Sequence, residues 1–453
     1  MFTIKDIIRI TSAKDRYCDT NAQIDSISTD SRCVQKNELF LALKGEHFDG
    51  AGFIDEAVKR GARVVITKKD VDISARIPVI RVDDTLKALS ELAKAHRRKF
   101  HIPVIGIVGS NGKTTTKDML AYLLGKKLTV LKTQGNLNNK VGVANTLLRL
   151  RDEQIAVIEV GTSVAGEIEY NSAVLVPTVA ITTNIGPAHL KGLNSREGVL
   201  REKIAIVKSL DKGGVWIRNC DDEMLSRESY NDIKIIDFGI KNKSADFKAE
   251  EITQTAQGME FLVKGKAIRL PLLGTHNVYN ALAALAAASL FMDIGKMEHA
   301  FTGFKGASMR MEVLDCGDFT IINDAYNANP ISFECAINVL KEYQGKGKKI
   351  VCCGDMLELG ENAQRFHYDC GSFLARTKAA DFLIAFGNKA LFIAKGAVDN
   401  GMDKGRIKLF TNKKDVSPYL RHILASGDTV LIKGSRGMRM EEIVERLSAA
   451  VCL

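Results

Sequence analysis

The stretch from Val104 to Thr116 restricts the possible folds of this chain more than any other. It begins with an apolar run that predicts a buried strand, and helix-forming residues continue from Lys113 onwards. Glycines recur at a regular spacing between the two, at Gly106, Gly109 and Gly112. Glycines let backbone amides approach a polyphosphate closely, and the N-terminus of the following helix attracts the same anion. The common form of this loop has a glycine where the chain has Ile107, so the stretch predicts a variant phosphate loop between a strand and a helix.

Several side chains around this loop have the chemistry of a nucleotide and metal site. Lys113 supplies a positive charge for the β and γ phosphates, and Thr114 offers a hydroxyl of the kind that binds Mg²⁺. Glu159 lies near the end of the apolar run 155–160, where a Mg²⁺ ligand is expected; the alternative is a solvated charge at a strand end. His189 follows the next apolar run, and on residues alone the favoured interpretation is a histidine that only stabilises the fold.

Apolar runs alternate with helical stretches along the chain, which predicts parallel sheets flanked by helices. A length of 453 residues is too great for one core, so we expect three domains, 1–100, 101–308 and 309–453. The fold class is therefore α/β, with a small mixed N-terminal domain, a central P-loop parallel-sheet ATPase domain and a C-terminal Rossmann-like doubly wound domain. The third segment has no Gly-x-Gly-x-x-Gly after its first strand, so we expect no dinucleotide there.

The predicted strands of the last two domains follow from the same apolar runs. In the central segment they are residues 104–108, 129–131, 155–160, 179–183 and 215–217, with a β-hairpin over 249–270. In the third segment they are residues 319–322, 349–353, 382–386, 407–410 and 429–432. Polar loops follow three of the latter, at 324–330, 354–360 and 433–437, and we expect them to line one cleft.

Composition argues against several classes of protein. No stretch approaches 18 uncharged apolar residues and the N-terminus is charged, so we expect neither membrane insertion nor a signal peptide. Nine cysteines without a C-x-x-C pair fit a reducing compartment, and we expect a cytoplasmic protein. The net charge of +10 comes without a basic run, so polyanionic small molecules explain it and nucleic acid is not expected as a partner.

Three further groups of residues each admit more than one interpretation. Helical spacing puts Lys203 on an apolar face, where its amine reaches solvent along its stem, pairs with an anion, or changes its charge, for example by carbamylation with CO₂. On residues alone, the route to solvent is favoured over carbamylation. The cluster 28–32 either binds a polar ligand or forms a turn with its own hydrogen bonds. Asn277 and Asn280, at a predicted helix start, either cap that helix or read the edge of a base.

The sequence resembles the Mur ligases, which are ATP-dependent amide-forming ligases of peptidoglycan precursor synthesis. The likeness rests on motifs in the family's order and spacing, namely Gly109–Thr116, Glu159–Gly161, Thr183–Ile185 with His189, and Gly274–Asn280. In the third segment, Tyr326–Pro330, Gly354–Gly360 and His367 are similar to the family members that add D-alanyl-D-alanine to UDP-MurNAc-tripeptide. The chain departs from the family at Val160, usually methionine, and at Ala205, often glutamate; neither change removes a charge from the expected metal site.

The resemblance implies a role for each matching residue. ATP would be bound by Gly109, Ser110, Asn111, Gly112, Lys113, Thr114, Thr115, Asn277, Asn280, Arg310 and Asp324. One Mg²⁺ would be held by Thr114 and Glu159 and a second by His189 with a carbamylated Lys203, so that the catalytic residues would be Lys113, His189 and Lys203. The UDP-sugar would lie on Ser28, Thr29, Asp30, Ser31 and Arg32, and the acceptor beside Asn327 and Asn329.

The implied reaction is an ADP-forming ligation through an acyl phosphate. Its substrates would be UDP-MurNAc-tripeptide on the first domain and D-alanyl-D-alanine on the third, which would close over ATP in a monomeric enzyme. Within the family, the alternatives are the ligase that adds a single diamino acid and the folate polyglutamate ligase, and the motif at 355–360 argues against both. Outside it, the alternatives are a P-loop ATPase switch that needs no acceptor and a non-catalytic nucleotide-sugar binding module.

Overall fold

The computed structural model of the chain describes residues 1–15, 20–45, 49–71, 77–255, 257–293, 295 and 299–449. Its first part contains a small parallel sheet and three helices. The elements are β1 (Phe2–Thr3), α1 (Ile4–Thr11), β2 (Gln23–Ile24), β3 (Ile27–Ser28), β4 (Leu39–Leu41), α2 (Ile54–Arg60), β5 (Val64–Lys68), β6 (Val79–Val82) and α3 (Thr85–Arg97). Strands β3 to β6 form the parallel sheet in sequence order, and β1 pairs with β2 in a separate antiparallel ladder. Helix α3 begins where the Asp84 carboxylate accepts hydrogen bonds from two first-turn amides.

The central part is a nine-stranded sheet with helices on both faces. Its elements are β7 (Val104–Val108), α4 (Lys113–Leu124), β8 (Val130–Lys132), α5 (Lys140–Leu147), β9 (Ile155–Glu159), α6 (Glu167–Leu175), β10 (Val179–Thr182), α7 (Leu190–Leu193), α8 (Arg196–Lys208), β11 (Val215–Asn219), β12 (Lys234–Gly239), β13 (Phe247–Thr255), β14 (Gly258–Val263), β15 (Lys266–Leu270) and α9 (Thr275–Ala288). The strand order is β15-β14-β13-β12-β11-β10-β7-β9-β8, with β7 between β10 and β9. All pairs are parallel except β13–β14 and β14–β15, which form an antiparallel meander.

Two expectations for this sheet were wrong. The stretch 249–270 is not a two-stranded hairpin, because β13, β14 and β15 form three strands across and beyond it. Strand β12 was not predicted at all, since Lys234 and Asp237 interrupt its apolar pattern, yet it pairs in parallel with β11 and β13. The five predicted parallel strands are present, and their ends differ from the prediction by no more than two residues.

Helix α9 positions one side of the site. It is rich in alanine and buried on nearly every side, as expected of a helix that is apolar all round. Small side chains let it pack closely against α4, the helix that follows the phosphate loop. The start of α9 is thereby held beside the phosphate loop.

The C-terminal part is a six-stranded sheet with five helices. Its elements are β16 (Glu312–Asp315), β17 (Thr320–Asp324), α10 (Pro330–Glu342), β18 (Lys349–Gly354), α11 (Ala363–Thr377), β19 (Phe382–Phe386), α12 (Ala390–Asp399), β20 (Ile407–Phe410), α13 (Val416–Ile423), β21 (Thr429–Lys433) and α14 (Glu441–Ser448). The order is β16-β17-β21-β18-β19-β20, parallel except for the edge strand β16. The predicted strands are again present within two residues, and the edge strand β16 is an addition. Among the helices that the structure describes, none has the length and apolar character needed to cross a membrane.

Candidate active site

A cleft of about 610 Å³ lies between the carboxyl ends of the central and C-terminal parallel strands. The phosphate loop, the end of β9 and the start of α9 form one side, and the loops after β17, β18 and β21 form the other. The predicted site residues that line it are Ser110, Asn111, Gly112, Lys113, Thr114, Thr115, Glu159, His189, Asn277, Asn280, Arg310, Asp324, Asn327 and Asn329. Those that do not line it are Gly109, Lys203 and the five residues from Ser28 to Arg32.

The phosphate loop has two positions that only glycine fits. Gly112 has φ +83°, and a Cβ atom there would collide with Oδ1 of Asn280. Gly109 has φ +154°, and a Cβ atom there would collide with the Thr183 hydroxyl. The loop therefore lies directly against α9 and against the end of β10, with no space for side chains between them.

Lys113, the first residue of α4, faces back into the loop. Its Nζ donates a hydrogen bond of 2.7 Å to the Gly109 carbonyl. Burial lowers the pKa of Lys113 and the neighbouring Arg310 lowers it further, whereas Glu159 opposes the shift. Because no carboxylate lies within ion-pair distance of Lys113 in the described residues, its charge is available to an anion in the cleft.

Thr114 and Glu159 meet as predicted from their positions after β7 and at the end of β9. The Thr114 hydroxyl donates to Glu159 Oε2 at 2.8 Å, and Asn138 Nδ2 donates to Oε1 at 2.7 Å. Glu159 is 2% exposed, and its backbone N–H donates to the Thr133 hydroxyl. The result is a rigid group of oxygen donors beside the phosphate loop, and Asn138 is a member that sequence reasoning did not single out.

Lys203 lies on α8 and is 2% exposed. Burial lowers its pKa well below the ordinary value and Lys113 lowers it further, whereas Glu202 acts in the opposite direction. The described residues provide no hydrogen bond or ion pair to its amine, in contrast to Glu202, whose carboxylate accepts from Thr162 and from two backbone amides. Lys203 is therefore a buried amine with its neutral form favoured, beneath the cleft rather than in its wall.

His189 belongs to the rim of the cleft and contacts the C-terminal part. Its Nδ1 lies 2.9 Å from Glu358 Oε2, in the loop after β18. Burial lowers the pKa of His189 and Lys113 lowers it further, whereas Glu358 raises it. His189 has φ +54° at the start of α7, a left-handed backbone conformation that is uncommon for residues other than glycine.

Asn277 and Asn280 hold the start of α9 to the phosphate loop. Asn277 Nδ2 donates to the Leu273 carbonyl at 2.8 Å, and its Oδ1 accepts from Asn280 Nδ2 at 3.0 Å. Asn280 Oδ1 in turn accepts from the Thr116 hydroxyl at 3.3 Å. Neither side chain caps α9, whose N-cap Gly274 has no side chain.

The C-terminal wall is built around a buried ion pair. Lys433, 1% exposed at the end of β21, pairs with Asp324 at the end of β17 and donates to the Asn327 carbonyl at 3.0 Å. Sequence reasoning placed Lys433 in a polar loop but did not select it, although it ends an apolar run just as Glu159 does. Arg310 Nη2 crosses the cleft to the Thr114 hydroxyl at 3.2 Å.

Two residues of the third-domain motifs shape the loop after β18. His367 is buried. Its Nδ1–H donates to the Ala363 carbonyl at 2.6 Å, and its Nε2 accepts from the Met356 amide at 2.8 Å. The Asp355 carboxylate accepts from the amides of Lys389 and Ala390. These side chains fix the backbone that carries Leu357 and Glu358 into the cleft.

The cluster from Ser28 to Arg32 lies outside the cleft, on the N-terminal sheet. Arg32 donates two side-chain hydrogen bonds and one backbone hydrogen bond to the Asp30 carboxylate, which lower the pKa of Asp30 to about 2. Ser31 donates to Glu56 at 2.7 Å, and Thr29 accepts from Asn145 of α5 at 3.0 Å. The cluster thus forms a turn with its own hydrogen bonds, and the contact with Asn145 connects it to helix α5 of the central part. The N-cap of α5, Asn139, lines the cleft.

The fold and the cleft define a three-domain α/β protein of the P-loop class. Three family models match the chain: "Mur ligase family, catalytic domain" over residues 23–97, "Mur ligase middle domain" over 107–288 and "Mur ligase, glutamate ligase domain" over 309–436. The chain belongs to the Mur ligase family.

Individual relatives match the chain over nearly its whole length. The UDP-N-acetylmuramoyl-tripeptide--D-alanyl-D-alanine ligase of Bacillus subtilis is 39% identical over 452 residues, which cover 98% of this chain and 97% of the relative. A crystal structure of MurF from Acinetobacter baumannii has a TM-score of 0.90 at 34% identity and covers 99% of both chains. The crystal structure of MurF ligase from Thermotoga maritima in complex with ADP has a TM-score of 0.83 at 27% identity, covering 94% of this chain and 97% of the other. The predicted three-domain α/β fold is confirmed.

Proposed function

We propose that this chain joins D-alanyl-D-alanine to UDP-MurNAc-tripeptide in an ATP-dependent, ADP-forming ligation. The observation that carries the proposal is the cleft, in which the phosphate loop faces the polar strand ends of a second α/β domain. The chain that forms this cleft is 39% identical to a relative named for this reaction. The product is the UDP-linked pentapeptide precursor of peptidoglycan.

The oxygen donors at the end of β9 suit a hard divalent cation. Thr114, Glu159 and Asn138 offer a hydroxyl, a carboxylate and an amide within hydrogen-bond distance of one another, the ligand types that Mg²⁺ prefers. In the described residues, however, no three or more His, Cys, Asp or Glu side chains form a metal-binding group. Thr114 and Glu159 would therefore hold one Mg²⁺ together with oxygens of the nucleotide, and the ion would screen phosphate charge when bound.

A second Mg²⁺ is proposed between His189 and a carbamylated Lys203. Carbamylation forms a bond between Nζ and the carbon of CO₂ and releases a proton, so that a neutral amine becomes an anionic oxygen ligand. The buried Lys203, whose pKa is lowered by desolvation and which has no partner in the described residues, is a suitable amine for this reaction. The carbamate would then be opposite in sign to Lys113, whose positive charge disfavours a second cation at Lys203.

The chain's own residues supply the electrostatics of the first chemical step. The terminal carboxylate of the tripeptide attacks the γ-phosphate of ATP, and ADP leaves; both reactants are anions. Lys113 and Arg310 converge on the phosphate loop from opposite sides of the cleft and lower that repulsion. The amine of D-alanyl-D-alanine then attacks the acyl phosphate, forms the amide and releases phosphate.

The remaining substrate contacts are assigned by domain. Residues 1–100 would carry the UDP-sugar on Ser28 to Arg32, and α5 would relate that site to the cleft through Asn145 and Asn139. The ATP site in residues 101–308 would be completed by Asn277 and Asn280. At the junction to the third domain it would be completed by Asp324. Residues 309–453 would close over ATP and hold the incoming dipeptide beside Asn327 and Asn329.

ADP release from the purified enzyme tests the proposal. We expect release to require UDP-MurNAc-tripeptide and D-alanyl-D-alanine together, with pentapeptide formed in equal amount. Release with a UDP-linked dipeptide and a free diamino acid would indicate the other Mur ligase reaction. ATP hydrolysis at full rate without a peptide would indicate a P-loop switch, and either result would overturn the proposal. The same proposal has the enzyme acting in the cytoplasm as a monomer. Light scattering of the substrate-bound protein tests whether it is a monomer.

A further inference from the structure

Arg310 is a cation directed at the phosphate loop without an acidic partner. Its Nη2 lies 3.2 Å from the Thr114 hydroxyl, and the side chain is half-buried at the junction of the second and third domains. In the part of the chain that the structure describes, no carboxylate lies within ion-pair distance of it. An arginine held by no carboxylate usually samples several rotamers, so a definite orientation needs a cause beyond one hydrogen bond to a hydroxyl.

The ring of Tyr326 provides that cause. The Arg310 guanidinium carbon lies 3.9 Å from the centroid of this ring, within the range of a strong cation–π contact. Tyr326 is itself half-buried, and its backbone N–H donates to the Met309 carbonyl at 3.1 Å. The ring and the arginine are therefore fixed to each other through both side chain and backbone.

A second arginine over the same ring shows the contrast. The guanidinium carbon of Arg436 lies 5.8 Å from the Tyr326 centroid, but its Nη1 pairs with Glu441 at 3.0 Å. A carboxylate holds an arginine and also cancels its charge, whereas an aromatic ring orients the guanidinium and leaves its charge intact. Of the two arginines, only Arg310 keeps an uncompensated charge, and it is the one that reaches the phosphate loop.

We propose that Tyr326 is a positioning residue that holds Arg310 toward the phosphates of ATP by stacking beneath its guanidinium. This inference rests on the proposed ATP-dependent function. Tyr326 also lines the cleft, and the role proposed for it is exerted through Arg310. The family motif Tyr326–Pro330 includes this residue but gives it no role, because the contact with Arg310 joins two segments on either side of β16 and β17.

Substitution of the ring by graded isosteres tests the proposal without disturbing packing. Phenylalanine and its 4-fluoro, 3,5-difluoro and 3,4,5-trifluoro forms at position 326 keep the ring while fluorine progressively weakens its negative face. We expect Tyr326→Phe to bind a non-hydrolysable ATP analogue nearly as well as the unmodified protein, and the affinity to fall stepwise with fluorine number. Tyr326→Leu should lose about 2- to 30-fold in analogue affinity, the range of cation–π contacts. Equal affinities across the fluorinated series would overturn the proposal.

A double-mutant cycle distinguishes positioning from a general structural role. In an Arg310→Ala background, Tyr326→Leu should cause no further loss of analogue affinity, because the ring then has no arginine to hold. Additive losses would show that Tyr326 acts elsewhere. Tyr419→Leu is the control, since Tyr419 lies under Lys408 at 5.8 Å on a remote part of the same domain and should leave affinity unchanged. These are binding measurements, so failure of the ligase assay would count against the proposed function alone.

Discussion

A reciprocal pair of amides joins the phosphate loop to the C-terminal domain, and its removal has a calculable effect. Asn329 Nδ2 donates to Asn111 Oδ1 at 2.7 Å, and Asn111 Nδ2 donates back to Asn329 Oδ1 at 3.3 Å. Asn329 Oδ1 also accepts from the Ser332 amide at 2.9 Å and so caps α10. Asn329→Asp keeps both acceptor functions, removes the donation to Asn111 and adds a negative charge.

The magnitude follows from that geometry. One neutral hydrogen bond contributes about 1 kcal/mol net, and the substitution also places a charged carboxylate oxygen against the Asn111 oxygen, where a donor had faced an acceptor. We therefore expect the closed arrangement of the domains to lose about 1–2 kcal/mol, which is roughly a 5- to 30-fold shift in the closed-to-open ratio. Global stability should change little, because the cap of α10 is retained.

Small-angle scattering follows the compaction of the protein as an ATP analogue is added in the presence of UDP-MurNAc-tripeptide. The shift is measured as the change in the analogue concentration that produces half of this compaction. That concentration should rise about 5- to 30-fold in Asn329→Asp. Ser332→Ala is the matched control: it removes the other half of the capping box but leaves both hydrogen bonds between Asn111 and Asn329. Compaction of Asn329→Asp at the wild-type concentration, or an equal shift in Ser332→Ala, would refute the reasoning.

Three further substitutions have defined outcomes. Lys203→Ala should lower turnover by at least about 100-fold, and short carboxylic acids should restore part of the activity. The second metal site would be contradicted if the variant were fully active and mass spectrometry of the wild type found no added mass on Lys203. Burial lowers the pKa of His96 from 6.5 to about 4, so its contribution to stability is lost as pH falls below 6.5. His276 has a similarly lowered pKa, so the wild-type loss has more than one source. Urea unfolding at pH 7.5 and pH 5 should show that His96→Asn reduces the wild-type loss of stability by about 2 kcal/mol. Gly112→Ala should abolish nucleotide binding measured by calorimetry, because the new methyl group collides with Asn280. Gly135→Ala is the control: Gly135 also has a positive φ, but a methyl group there meets open space, and we expect nucleotide binding to be retained.

Local patterns were sufficient to predict most of the parallel strands. The strands at 104–108 and 382–386 have the predicted bounds, because each is a continuous apolar run largely buried in a parallel sheet. The edge strand at 407–410 also has the predicted bounds, although Lys408 interrupts its apolar pattern and its side chains are only partly buried. Strand β12 was missed since Lys234 and Asp237 break its pattern, and the sheet accepts it because its remaining side chains pack beneath α9. The predicted site residues around the phosphate loop share one cleft, while their roles in binding and catalysis stay predictions.

The sequence by itself determined the strand, phosphate loop and helix, the alternation of strands and helices, and the family. These depend on spacing over a few residues, which the chain displays directly. Only the tertiary structure decided that Asn111 meets Asn329, 218 residues away, that Arg310 reaches Thr114 across the cleft, and that Tyr326 lies beneath that arginine. Such contacts depend on how two separate sheets direct their carboxyl ends toward each other, and no local pattern encodes that orientation.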